Sequence, residues 1–222
     1  CVNKCANTMT AVRISGFLNP TLFREPPGKG EEKKDAVLAL GRRLRDEMHP
    51  TQGGLAVCQV APRVRHLAYI DQPRGHMLED PRFLGAWDGA AVFVCADSIE
   101  YFENKHNWSI YQAVVYIDTD AWTVRAVWRL AGRARVEKNW VPLGAIENGR
   151  SRLLYSHETM ECVELDHAAR AQRGPAPKAP PAPQNRKICN NAVGDPKLRG
   201  GTPLLPRAGG GWWGLAHVQE GG

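Results

Sequence analysis

Residues 78–98 read LEDPRFLGAWDGAAVFVCADS, and this stretch decides the fold. Two apolar runs flank Asp88-Gly89, a dipeptide that accepts positive φ at both central positions of a tight turn. The runs are rich in Val, Phe and Leu and are about five to eight residues long, which is the usual length of a strand. The stretch therefore predicts a β-hairpin whose first strand begins beside Pro81.

The same layout occurs four times along the chain: polar residues, a proline, an apolar strand, a turn and a second apolar strand. The other copies read FLNPTLFRE with DAVLALGRR, then EKNWVPLGAIENGRSRLLYSHE, then RGGTPLLPRAGGGWWGLAHV. The prolines, Pro20, Pro81, Pro142 and Pro203, stand 61 residues apart in each step. Recurrence at a fixed period is typical of a repeat architecture.

Further apolar segments lie between the copies and predict additional strands, at residues 57–60, 66–70, 111–117, 124–130 and 162–165. Each copy then supplies about four short strands, which is the content of one blade of a β-propeller. We predict one all-β domain over residues 1–222. Residues 168–187 are rich in Pro and Ala and predict a disordered insertion within that domain.

Composition excludes several classes of protein. With 222 residues, 43% hydrophobic and 23% charged, the chain is globular and not disordered overall. Its net charge of +6 comes from scattered Lys and Arg, so we predict no nucleic-acid partner. No apolar run approaches the roughly 18 residues of a membrane span. The oligomeric state stays open, as does location in the cytoplasm or the secretory pathway.

Six cysteines are too few for a disulfide scaffold in a chain of this length. Cys58 and Cys95 lie inside apolar runs, where we expect buried free thiols. Zinc needs closely spaced ligands, and Cys1 and Cys5 are the single pair that approaches such spacing. We therefore predict neither a metal site nor a cofactor.

In a propeller the first strand of every blade lines the central axis, so polar residues near its start converge in one funnel. The residues beside the four prolines are polar and differ from copy to copy, as expected of a site built on a repeated frame. They are Asn19; Glu79, Asp80 and Arg82; Glu137, Lys138, Asn139 and Trp140; and Arg199, Gly200, Gly201 and Thr202.

The segment LEDPRF resembles the Glu-Asp-Pro-Arg motif of the five-bladed propeller glycosidases, especially the β-mannoside phosphorylases and their β-mannosyltransferase relatives. FLNPTLFRE with LALGRR, VEKNWVPL with LLYS, and LRGGTPLL with LAHV are similar to other blades of that group, over roughly Phe17 to Val218. The resemblance implies a five-bladed β-propeller of which this chain holds about four blades. Such rings need on the order of 300 residues, so we expect an incomplete copy.

The resemblance implies that Asp80 donates a proton to the glycosidic oxygen. Hydrolases of this architecture use a second carboxylate, but the first copy has Asn19 at the equivalent place. That difference favours phosphorolysis or glycosyl transfer over hydrolysis. The expected substrate is a glycan with a β-linked hexose, with mannose the first candidate, together with phosphate or a sugar phosphate. Candidate phosphate cations are Arg42 or Arg43, Arg82, Lys138, Arg199 and His217. Trp140 offers a flat face for a sugar ring, and Asn19, Glu79, Asn139 and Thr202 complete the expected substrate site.

Structural alternatives remain open for several of these residues. Asp80-Pro81 is also a common turn pair, Glu137 and Lys138 also fit a solvated surface pair, and Trp140 equally fits the core. His217 fits an ordinary strand position. The alternative function is a propeller that binds a glycan or a protein partner without catalysis.

Overall fold

The computed structural model describes residues 17–24, 36–43, 54–61, 63, 65–98, 109–130, 136, 140–156, 159–171, 186–188, 198–199, 203–214 and 217–218. This part of the chain is all-β, as the sequence predicts. The strands are β1 (Phe17–Arg24), β2 (Val37–Arg43), β3 (Gly54–Ala61), β4 (Arg65–Ile70), β5 (Leu78–Trp87), β6 (Ala90–Asp97), β7 (Tyr111–Asp118), β8 (Thr123–Arg129), β9 (Val141–Pro142), β10 (Arg150–Ser156), β11 (Glu161–Asp166), β12 (Arg186–Ile188), β13 (Leu198–Arg199), β14 (Leu205–Pro206), β15 (Trp212–Trp213) and β16 (His217–Val218).

Three four-stranded antiparallel sheets follow one another along the chain. Their orders are β1-β2-β3-β4, β5-β6-β7-β8 and β12-β11-β10-β9, so each is a meander of consecutive strands. The fourth copy forms two nested pairs, β13 with β16 and β14 with β15. All five strands predicted between the copies are confirmed, within three residues at their ends. Among the described residues the sheets do not close into a ring.

The predicted tight turn at Asp88-Gly89 is confirmed, and Asn148-Gly149 forms a second turn of the same kind. Asp88 and Gly89 have φ of 49° and 71°, and Asn148 and Gly149 have φ of 49° and 73°. Positive φ at both central residues twists a two-residue loop in the sense that flanking strands require. The first turn joins β5 to β6 through the pair Trp87 and Ala90.

The core lies between sheets stacked face to face. One cluster joins the first and second sheets through residues such as Leu40, Phe93 and Ile117. A second joins the second and third sheets through residues such as Val92 and Leu153. Every residue of β6 is buried, because the second sheet is covered on both faces. This explains its unbroken apolar sequence, since a strand with one wet face would alternate.

A buried polar chain links the second sheet to the third. The hydroxyl of Tyr116 on β7 bonds Nδ1 of His167, and Oγ of Ser151 on β10 lies 2.8 Å from Nε2 of the same ring. All three side chains are buried. Burial lowers the pKa of His167 to about 4, with Asp166 opposing the shift and Arg170 adding to it. The imidazole is therefore neutral at physiological pH.

Regular structure is described at both ends of the Pro/Ala-rich segment. A short helix, α1 (His167–Ala171), begins it, and β12 contains Arg186 and Lys187 at its end. Asp166 Oδ1 caps the helix by accepting the N–H of Ala169 at 2.9 Å. Strand β12 pairs with β11 of the third sheet. Residues 172–185 lie outside the described part.

The predicted burial of two cysteines is confirmed. Cys58 and Cys95 are buried and form no disulfide. Cys162, on β11, is disulfide-bonded. No helix in the described ranges is long and apolar enough to cross a membrane.

Candidate functional site

Asp80 lies in a β-bulge near the start of β5. Pairing with β6 shifts register between Glu79 and Arg82, and Asp80 has φ of 49°. A left-handed backbone costs an ordinary residue roughly 1–2 kcal/mol. Such strain is concentrated at functional sites. In β1 the same shift falls between Leu18 and Thr21, so Asn19 occupies the equivalent bulge.

The first strands of neighbouring sheets lie against one another. β5 contacts β1 and β2 on one side and β9 on the other. The N–H of Phe83 donates to Oγ1 of Thr21 at 3.2 Å, and the rings of Phe83 and Phe23 stack with centroids 5.0 Å apart. The two bulges therefore belong to adjoining strands, which is the arrangement that a shared funnel requires.

Charged groups of the bulge are withdrawn from water. Oε1 of Glu79 and Nη1 of Arg82 are shielded from solvent. Burial lowers the pKa of Arg82, and the negative charge of Asp80 opposes that shift. The negative charge of Asp80 helps to keep the partly dehydrated guanidinium charged, because low local polarity strengthens the attraction between the two groups.

A second polar group, the Asp97 cluster (His76, Asp97 and Arg129), lies at the same end of the second sheet. The Asp97 side chain is fully buried, and its Oδ2 lies 2.7 Å from Nδ1 of His76 and 2.8 Å from Nε of Arg129. The N–H of Met77 donates to Oδ1 at 3.0 Å. Burial alone would raise the pKa of Asp97, but these hydrogen bonds outweigh it and hold the pKa below its ordinary value.

The Asp80 bulge and the Asp97 cluster share one neighbourhood. Leu78 pairs with Asp97, and Glu79 pairs with Ala96. The buried thiol of Cys95 interacts electrostatically with both groups. Burial raises the pKa of this thiol, Arg82 opposes the rise, and Asp80 and Asp97 add to it. Asp80, Arg82 and Asp97 therefore all lie within electrostatic reach of one buried thiol.

The other predicted site residues have mixed outcomes. Trp140 is only 1% exposed and packs edge-on against Tyr155, with ring centroids 4.9 Å apart. The prediction of a sugar platform is therefore wrong for Trp140, because core packing buries both faces of its ring. Arg43 pairs with Phe17 near the bulge of β1, and Arg199 pairs with His217. Glu137, Lys138, Asn139 and residues 200–202 lie outside the described residues.

The sequence reasoning missed His76, Asp97 and Arg129. The sequence did contain one signal. Asp97 is the last residue of the otherwise apolar strand β6, and a carboxylate at such a position is either buried with hydrogen-bond partners or exposed to solvent. Its partners come from residues 21 and 32 positions away, so spacing alone does not identify them.

Within the described ranges no group of three or more His, Cys, Asp or Glu is placed to hold a metal ion. The chain matches no protein-family model and no curated protein.

Proposed function

We propose that this protein is a propeller-type carbohydrate-active enzyme, related in architecture to the five-bladed glycosidases, that transfers a glycosyl group with Asp80 as general acid. The substrate is a β-linked hexoside, with mannose the first candidate, and the donor or acceptor carries phosphate. The supporting observation is the position of Asp80, at φ 49° in a bulge of β5 beside the partly buried Arg82.

The sheet order supports the architectural part of this proposal. Four-stranded meanders stacked face to face, with first strands in contact, are the parts from which propellers are built. In such a frame Asp80 and its counterparts from other blades face one central space.

The chemistry requires a proton donor at the leaving oxygen. Asp80 supplies the carboxyl group, and Arg82 supplies positive charge for a phosphate oxygen. The bulge of β1 carries Asn19, whose amide cannot act as a nucleophile or base, so double displacement with two equivalent carboxylates is disfavoured.

A donor screen tests the proposal. Purified full-length chain is incubated with sugar 1-phosphates and nucleotide sugars, with and without acceptor oligosaccharides, and released phosphate or nucleotide is measured. Asp80→Asn keeps the size of the side chain and tolerates the left-handed backbone. Loss of the general acid should lower turnover about 10²–10⁴-fold.

Asp120→Asn is the matched control, because Asp120 is exposed in the turn between β7 and β8. We expect this variant to retain full activity. Normal turnover by Asp80→Asn contradicts the assignment of Asp80.

The second candidate is a glycan-binding propeller without catalysis. Asn19 favours it, because that bulge lacks a carboxylate. Bound sugar on a glycan array, with no transfer from any donor, supports this candidate over the enzyme.

A further inference from the structure

We propose that His76 is the proton acceptor of this site, positioned by Asp97, and that the group attacking the donor is therefore a sugar hydroxyl and not phosphate. This inference rests on the proposed function, since it assigns the second half of the same reaction.

The first step concerns the tautomer of His76. Asp97 is fully buried and held ionised by three donors, so its Oδ2 can only accept. The proton between the two residues therefore sits on Nδ1 of His76. In the neutral ring the lone pair is then on Nε2, which no residue in the described part of the chain bonds. An acidic partner that fixes the tautomer is the usual way to orient a histidine base.

The second step concerns exposure and rigidity. The His76 side chain is 24% exposed, whereas Asp97 behind it is fully buried, so solvent and ligands reach the imidazole from one side. The segment before β5 is held firmly: the N–H of His76 donates to the carbonyl of Pro73 at 3.0 Å. Gln72 bonds both the N–H and the carbonyl of Leu78, at 2.9 and 3.1 Å. A base held this way loses little entropy on meeting its substrate.

The third step concerns Arg129. Its Nε bonds the same Oδ2 of Asp97, its Nη2 donates to the carbonyl of Gly75 at 3.3 Å, and its guanidinium lies 4.7 Å from the centre of the Tyr111 ring. Arg129 therefore connects β8 by hydrogen bonds to the segment that contains His76. Its role is to position Asp97, and through Asp97 the imidazole.

The reaction balances with these two groups. The hydroxyl oxygen of the acceptor bonds the anomeric carbon while its O–H bond breaks, and the proton passes to Nε2 of His76. Asp80, a carboxylate beside Arg82 in the free protein, first takes up a proton from water. The bond from the anomeric carbon to the leaving oxygen then breaks, and that oxygen receives the proton from Asp80. Both groups return to their starting states by exchange with water.

The choice of nucleophile follows from which of the two nucleophiles needs a base to remove its proton. Phosphate is already an anion at neutral pH, because its first ionisation is complete well below that pH. A sugar hydroxyl is neutral and must lose its proton on attack. A base held in place therefore assists a hydroxyl acceptor and gives phosphate no comparable help.

His76→Asn separates the catalytic role from a structural one. The Asn amide can still donate to Asp97 from near the Nδ1 position, but it has no atom at Nε2. We expect transfer to a sugar acceptor to fall about 10²–10⁴-fold with unchanged thermal unfolding. In His76→Ala, added imidazole should restore part of the lost rate, and Asp80→Asn should show no such rescue.

The reactivity of the ring gives a readout that does not depend on turnover. Diethyl pyrocarbonate attacks unprotonated ring nitrogens, and peptide mass spectrometry locates the modified residue. We expect His76 to react, with the exposed His66 as the reference for an accessible ring. An unreactive His76 overturns the inference while leaving Asp80 and the proposed function standing.

Measurements of transfer activity also test the role of His76. Full transfer by His76→Asn, or turnover with phosphate as the single effective nucleophile, overturns the inference and leaves the enzyme. Absence of turnover with every donor contradicts both the proposed function and this role, even with a reactive His76.

Discussion

Acidification is expected to weaken the fold through one buried imidazole, that of His167. Its pKa in the folded protein is about 4, against an ordinary value of 6.5, because burial disfavours the charged ring. The unfolded chain takes up a proton as the pH falls through about 6.5, and the folded chain resists until about 4. The stability that the neutral ring provides is complete above this window and is lost on crossing it downwards. The loss is about 3 kcal/mol, at about 1.4 kcal/mol for each pH unit.

The hydrogen bonds explain why protonation is disfavoured. A neutral imidazole donates from one nitrogen and accepts at the other, so it satisfies Tyr116 on β7 and Ser151 on β10 together. The imidazolium ion donates from both nitrogens, and both hydroxyl hydrogens must then find other acceptors in a buried place. Protonation therefore weakens the link between the second and third sheets.

Urea unfolding followed by tryptophan fluorescence measures the effect between about pH 7 and pH 4. The useful quantity is the difference in unfolding free energy between the natural chain and His167→Gln, because the carboxylates titrate in both. This difference should change by about 3 kcal/mol across the window. His66→Gln, at an exposed position, should follow the natural chain. Parallel loss of stability by the natural chain and His167→Gln would refute the reasoning.

Three substitutions test other parts of the structure. Asp97→Asn removes a buried charge with three donors around it, so the free energy of unfolding in urea should fall by about 3–5 kcal/mol; a loss below 1 kcal/mol contradicts its place in the fold. Gly149→Ala puts a Cβ 2.8 Å from the Trp87 ring at φ 73°, whereas Gly75→Ala meets nothing within 4 Å at φ 79°. Thermal unfolding should show a larger loss for Gly149→Ala than for Gly75→Ala, by about 1–3 kcal/mol, and equal losses contradict the contact. Phe93→Ala empties a fully buried site between two sheets and should cost about 3–5 kcal/mol in urea unfolding; a near-neutral result contradicts the stacking.

Local chemistry explains why much of the fold is predictable from the sequence. Asp88-Gly89 and Asn148-Gly149 identify turns because few other dipeptides tolerate two positive φ values. The unbroken apolar run of β6 indicates burial on both faces. The repeat at 61 residues also places Asn19 and Asp80 at equivalent positions, and both prove to lie in bulges.

Long-range packing explains what the sequence does not reveal. Trp140 lies two residues before Pro142, as Glu79 lies two residues before Pro81. The large apolar ring of Trp140 nevertheless packs in the core. His76 and Arg129 meet at Asp97 only after three strands have paired, so no local pattern marks them. Helix α1 is capped by one side chain, that of Asp166, and the Pro/Ala-rich sequence that follows gives no indication of a helix.

The double-sided burial of β6 has a consequence for how the chain reaches this structure. Each meander pairs strands close in sequence, so its hydrogen bonds can form early and quickly. Strands β6 and β7 have no face suited to water, however, so the second sheet persists only after both neighbours have docked. Unfolding should therefore spread from sheet to sheet as in other repeat proteins, with amide exchange slowest in β6 and β7. The intermediate that exposes the second sheet is the species most prone to self-association.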